Sequence, residues 1–171
     1  LSGDYAEFGV WKGSTFVWVA KLIKLLNPNS RDLIYGFDWF KGLKASKDED
    51  QKINNKYKGD HYELQNIINK NELTDFAKII NLDLTKEISN FLLRNKELRF
   101  KYVFLDCGTK NVVESVLKEV WPRIVKGGIL VMDHYNDYNA PYESEIVEKY
   151  CGDRKIESFN FSRAPSGYII K

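Results

Sequence analysis

The chain repeats one rhythm: a short β-prone apolar run, a glycine or acidic residue, a polar turn, then a stretch with apolar residues at helical spacing. The apolar runs lie at Tyr5 to Val10, in "LIYGFDWF" ending near Asp38, in "DFAKIINLDL", in "RFKYVFLDCG" and in "ILVMDHY". Helical spacing covers Ser14 to Leu26, "HYELQNIINK", "TKEISNFLLRN", "NVVESVLKEVWPRIV" as far as Pro122, and about Tyr142 to Tyr150. Ser14 or Thr15 is expected to cap the first helix and Thr85 the third, and the pair Gly127 and Gly128 to turn the chain into the fifth strand. "RKIESFNF" and "SGYIIK" read as two closing strands, antiparallel to each other. Strands that alternate with helices through short turns imply parallel strands joined by right-handed crossovers. The expected fold is α/β: an open, mostly parallel sheet with helices on both faces and an antiparallel C-terminal strand. At 171 residues the sequence fills one such domain and is too short for two ordinary ones. Only Lys41 to Asp60 breaks the rhythm; it is polar and charged, and reads as a mobile loop, a lid or a short exposed helix.

In sheets of this kind ligands bind beyond the carboxyl ends of the strands. That rule collects Gly9 to Thr15, Asp38, Asp83, Asp106 and Asp133 on one rim, and an acidic rim is a costly arrangement unless it binds something. With 26 Lys plus Arg against 24 Asp plus Glu, a formal charge of +2 supplies no field to draw in a nucleic acid or an acidic membrane. No apolar run reaches the roughly 20 residues needed to span a bilayer, and the start of the chain lacks a signal-peptide pattern. These features lead us to expect a soluble, cytoplasmic protein with a small-molecule partner and no nucleic acid or membrane, and they are compatible with a homo-oligomer. Cys107 and Cys151 are too few and too far apart for a disulfide framework or a zinc knuckle, and are expected to fill space.

The stretch "DYAEFGVWKGST" carries the most specific chemistry. Gly9 and Gly13 permit a tight turn into a helix whose first N–H groups, at Ser14 and Thr15, are unpaired. A dinucleotide fingerprint would need G-x-G-x-x-G, but one glycine is missing and Trp11 crowds the approach of a pyrophosphate. No G-K-[ST] closes the loop, so a P-loop is excluded as well. Glu7 would repel a phosphate and instead suits a cation or a ligand's N–H and O–H groups. S-adenosylmethionine offers all of these: a sulfonium, an ammonium and ribose hydroxyls. Trp11 and Trp39, beside the acidic rim, are candidates to stack on adenine or line a cleft, whereas Trp18 and Trp121 are expected in the core and His61 in solvent.

"GDYAEFGVWKGST", "YGFDWFKGL" and "FLDCGTKNVVESVLKEVWPRIVKGGILVMDHYND" resemble, in order and spacing, the class I S-adenosylmethionine-dependent methyltransferases of the macrocin O-methyltransferase group, over nearly the whole chain. The resemblance implies a Rossmann-like sheet and an O-methyltransferase acting on a hydroxyl of a sugar or glycoside-like small molecule. It assigns the methyl donor to Glu7, Gly9, Gly13 and Asp38, with Ser14, Thr15 and Asp83 nearby, and a divalent metal, Mg²⁺ or Mn²⁺, to Asp106, Asp133 and His134. It also implies that relatives extend ahead of the glycine loop, so that this chain is short or is part of a longer one. Two carboxylates of the family pattern are replaced: Asp106-Cys107-Gly108-Thr109-Lys110 stands for Asp-x-Asp-x-Tyr, and Asp133-His134-Tyr135 for Asp-Asp-Tyr. An imidazole ligates Mn²⁺ better than Mg²⁺, which prefers oxygen. Asp106 is the candidate proton acceptor or metal ligand that activates the hydroxyl, and Lys110 a candidate contact for an anionic group of the substrate. The competing expectation is a non-catalytic domain that keeps this fold as a binding or structural module.

Overall fold

The computed structural model describes residues 1–138, 140–152 and 154–171. Among the described residues seven strands form one sheet: β1 (Asp4–Phe8), β2 (Ile34–Asp38), β3 (Ala77–Asn81), β4 (Phe100–Leu105), β5 (Ile124–Met132), β6 (Ile156–Ser158) and β7 (Gly167–Ile170). Their order is β3-β2-β1-β4-β5-β7-β6. β1 to β5 are parallel to one another, and β7 runs antiparallel to both β5 and β6. The helices are α1 (Ser14–Leu26), α2 (His61–Lys70), α3 (Ile88–Arg94), α4 (Lys110–Val120) and α5 (Pro141–Cys151). The expected architecture, with its antiparallel C-terminal strand, is the one observed.

Period-two alternation sends β1 into two cores at once. Ala6 and Phe8 join Phe37, Val103, Leu105, Leu130, Met132 and Ile169 under α3, α4 and α5. Phe8 stacks on Phe37 with centroids 4.6 Å apart, and Phe91 of α3 meets Phe37 edge-on at 5.4 Å. On the other face, Phe16, Ala20 and Ile23 of α1 and Leu64 and Ile68 of α2 pack over Ile34, Ala77 and Ile79. Gly36 lets α1 come this close, since a Cβ there would stand 2.8–2.9 Å from side chains of Ile79, Phe16 and Val10.

Several local expectations change. Neither Ser14 nor Thr15 caps α1: its N-cap is Gly13, left-handed at φ 80, with no side-chain hydrogen bond. Thr85 does not cap α3, which starts three residues later with Glu87 at its N-cap; Thr85 instead donates to Asp83 Oδ1 (2.7 Å). Gly127 and Gly128 do not precede β5 but lie inside it, where pairing moves from Phe100–Ile124 to Tyr102–Ile129. Gly127, at φ 80, takes up this bulge, and its N–H donates to Lys171 O (2.7 Å). The sixth strand is shorter than "RKIESFNF", covering Ile156–Ser158. α2, by contrast, has the limits expected of it, because Asp60 accepts N–H bonds from Tyr62 and Glu63. Trp18 lies on the outer side of α1, 67% exposed, rather than in the core. His61 is half-buried against the Phe40 ring instead of fully solvated.

Residues 41–60 hold a 3₁₀ turn at Gln51–Ile53 and a bridge between Lys41 and Lys58. No helix among the described residues is long and apolar enough to cross a membrane.

Candidate functional site

β1 lies between β2 and β4, where the crossovers leave in opposite directions, so its carboxyl end marks the crevice in which ligands of open α/β sheets bind. Three backbone bonds tie the ends together there. Gly9 N–H donates to Phe37 O (2.9 Å), Asp106 N–H to Phe8 O (2.9 Å) and Asp133 N–H to Leu105 O (3.1 Å). Asp106 and Asp133 therefore leave adjacent strands side by side.

The two loop glycines are needed by the protein's own atoms. At Gly9 (φ +91) a Cβ would stand 1.9 Å from Asp106 O, and at Gly13 (φ +80) 2.2 Å from a Leu64 methyl. The nearest obstacle to a side chain at Gly9 is thus the backbone of Asp106. Asp38 organises the same loop: Oδ2 accepts Trp11 N–H (2.8 Å) and Oδ1 accepts Phe40 N–H (2.7 Å). Ser14 and Thr15 are exposed at the uncapped start of α1.

Around this point the carboxylates converge. Glu7 is only 3% exposed, and burial, then the charges of Asp106, Asp133 and Asp38, push it well above the usual carboxylate range. Burial, followed by Asp133, Glu143 and Asp38, pushes Asp106 up to about 8. Asp133 is also raised by burial, an effect that neighbouring His134 opposes. One ligand atom from each of Asp106, Asp133 and His134 lies within 4.8 Å of the others, and His134 Nδ1 is 3.3 Å from Asp133 Oδ2. Two carboxylates and an imidazole that close together form a donor set that fits a divalent cation such as Mn²⁺. Asp83 stands apart at the edge of the sheet. Its carboxylate accepts from Thr85 N–H and Oγ1 and pairs with Lys86, so it serves the turn into α3.

Sequence reading missed Glu143. It is 1% exposed, accepts His134 N–H (2.9 Å), and is pushed up to about 8 by burial, against that hydrogen bond and with Asp133 and Asp137 adding to the rise. In the sequence it is the acidic residue after Pro141 in a helix's first turn, a pattern indistinguishable from an ordinary complement to the helix dipole. Also unforeseen is how residues 41–60 lie across the rim. Glu49 Oε1 accepts Lys110 N–H at the start of α4 (2.9 Å), Asp48 pairs with Lys110 (3.0 Å), and Lys58 O accepts from the Trp11 indole (3.0 Å). The Trp39 indole donates to Gly42 O (2.6 Å). Cys107 and Cys151 are buried free thiols whose pKa values burial raises, so they fill space.

An acidic crevice at the carboxyl ends of β1, β2, β4 and β5, entered through a glycine turn, is the candidate ligand site of this α/β domain. The model of a methyltransferase domain matches residues 6–135, and the chain belongs to this methyltransferase-domain family. Its fold is that of the class I methyltransferases. It is similar to CalS11, the calicheamicin methyltransferase, at TM-score 0.88 and 19% identity, over 99% of this chain and 72% of that one. It is also similar to the O-methyltransferase NovP (0.76, 14%, 100% and 72%) and to Aeropyrum pernix fibrillarin in complex with S-adenosyl-L-methionine (0.56, 14%, 98% and 66%). No curated protein sequence matches the chain.

Proposed function

We propose that this chain is an S-adenosylmethionine-dependent O-methyltransferase acting on a hydroxyl of a sugar or glycoside-like small molecule. The observation that carries the reading is the convergence of Glu7, Asp106, Asp133 and Glu143, all held above their usual pKa values. Burial and mutual repulsion keep these carboxyls from ionising in the ligand-free crevice, and a cationic ligand would favour their ionised forms, which is the complementarity the site offers. CalS11, described as a TDP-rhamnose 3'-O-methyltransferase, lends support to a sugar acceptor, and NovP, described as an O-methyltransferase, to transfer onto a hydroxyl.

In this reading the donor, when bound, supplies an electrophilic methyl carbon on a sulfonium sulfur. Glu7 faces its cationic groups, Asp38 accepts from ribose hydroxyls, and the unpaired N–H groups of Ser14 and Thr15 face its carboxylate, with Gly9 and Gly13 shaping the loop. Asp83, committed to its own turn, is left at most the adenine edge. Asp106 takes the proton of the acceptor hydroxyl, and in the metal-free site its pKa of about 8 makes it a stronger base than an ordinary aspartate. A divalent metal, Mn²⁺ before Mg²⁺, would be held by Asp106, Asp133 and His134 and would lower the pKa of that hydroxyl. Calorimetry with S-adenosylmethionine and S-adenosylhomocysteine tests the donor site, and turnover on a panel of glycosides tests the enzyme. Absence of binding overturns the reading; binding without turnover replaces it with a donor-binding module.

Two expected outcomes follow from the same geometry. Residues 44–58 should act as a lid, because Glu49, Asp48 and Lys58 fasten the segment to both sides of the rim. Hydrogen exchange across this segment is expected to slow when donor and acceptor are both present; equal exchange in both states would reduce it to a passive loop.

Stability of the ligand-free protein should fall as pH rises. Asp106 and Glu143 have folded pKa values of about 8, above their unfolded values, so the folded state holds more protons between about pH 4 and 8. Their contribution is complete below the unfolded pKa and is lost as pH rises through about 8. A melting temperature that drops from about pH 5 to about pH 9, with the drop reduced by donor or Mn²⁺, is the expected result; a flat profile would contradict it.

A further inference from the structure

Where β5 ends, the chain turns through His134, Tyr135 and Asn136 before α5 begins. Two side chains from the first turns of α5 reach back to this bend. Glu143 Oε1 accepts His134 N–H at 2.9 Å, and Ser144 Oγ accepts Asn136 N–H at 2.8 Å while lying 3.3 Å from Asn136 Oδ1. Asn136 sits at φ 58, a left-handed conformation that costs energy in a non-glycine residue and persists only where its surroundings fix it. Tyr142, next in sequence, donates through its hydroxyl to Gly108 O (3.0 Å), so the same helix end also grips the loop after β4.

Glu143 is the costly member of this arrangement. Even in its neutral form a carboxyl group 1% exposed costs more to bury than a leucine of similar size. The bond it makes is to the backbone of the residue that follows Asp133.

We infer that Glu143 is a positioning residue: by clamping the His134 N–H it fixes the Asp133–His134 pair against Asp106, with Ser144 holding the far side of the bend. The inference rests on the proposed donor and metal site. The carboxylate touches neither donor nor acceptor; it sets the geometry of groups that do.

The test uses the full chain. In the unaltered protein the amides of His134 and Asn136 should exchange at least a hundredfold more slowly than unprotected amides; unprotected rates at both would overturn the clamp without any variant. Glu143→Leu should speed exchange at His134 at least tenfold, leave the Leu130 and Met132 amides unchanged, and weaken Mn²⁺ binding, read by electron paramagnetic resonance, at least tenfold. Glu143→Gln keeps an acceptor oxygen and should restore both to within about threefold. Should Glu143→Leu fail to fold, Ser144→Ala, which frees the Asn136 N–H and Oδ1 but leaves the His134 bond, is expected to speed exchange at Asn136 and weaken Mn²⁺ binding; unchanged values for both would overturn the inference. Faster exchange at His134 with unaltered Mn²⁺ affinity would also overturn it, since the bond would then be structural only. Failure of the unaltered protein to bind Mn²⁺ or donor defeats the metal or donor proposal instead, and that result is read separately from the exchange data.

Discussion

Asp106→Asn is expected to lower kcat for methyl transfer by about 10²- to 10⁴-fold, the range that general-base catalysis typically supplies. The asparagine keeps the shape and the backbone bond to Phe8 O but cannot take a proton and is a weaker cation ligand. The same substitution should raise the melting temperature of the ligand-free protein above pH 8, because it removes one of several carboxylates that repel one another there. Opposite movements of activity and stability mark a group kept for function at the expense of the fold. Steady-state kinetics and a thermal melt on the same sample check both. Undiminished kcat would remove Asp106 from the chemistry and leave only the donor half of the reading.

Gly9→Ala is expected to cost about 4 kcal/mol or more of folding stability, among the largest single-residue effects, because two penalties fall on one atom. The backbone at φ +91 is strained for any residue with a side chain, and the added Cβ would sit 1.9 Å from the carbonyl oxygen of Asp106. That obstacle is backbone, itself held by the bond from Asp106 N–H to Phe8 O, so it cannot swing aside as a side chain would. With native domains stable by only about 5–15 kcal/mol, urea unfolding should show a much lower midpoint. A midpoint shift equivalent to under about 1 kcal/mol would mean that the loop and the end of β4 separate easily.

The sequence made the sheet legible because burial on two faces leaves continuous apolar runs, and α1 and α2 because Gly13 and Asp60 stop the chain where the periodicity begins. Gly127 reads as a turn because glycine usually punctuates elements, and only its place opposite β4 and its bond to Lys171 reveal a bulge within a strand. Ser14 and Thr15 are good caps by type, yet a left-handed Gly13 turns the chain so that neither is used. Asp106 and Asp133 could be singled out because they follow apolar strands, and His134 through the family resemblance; one ligand atom of each lies within 4.8 Å of the others. Glu143 could not, since its role depends on α5 folding back against a bend nine residues earlier in the chain.

Asp38 has a stoichiometry worth counting. A carboxylate offers about four lone-pair directions, and Trp11 and Phe40 N–H use one on each oxygen. One direction per oxygen is left, a pair that matches two neighbouring hydroxyls better than a single one. In the proposed donor complex the valences that remain after the loops are built would accept the two ribose hydroxyls, so the atoms that order the glycine turn would also bear on which molecule it receives.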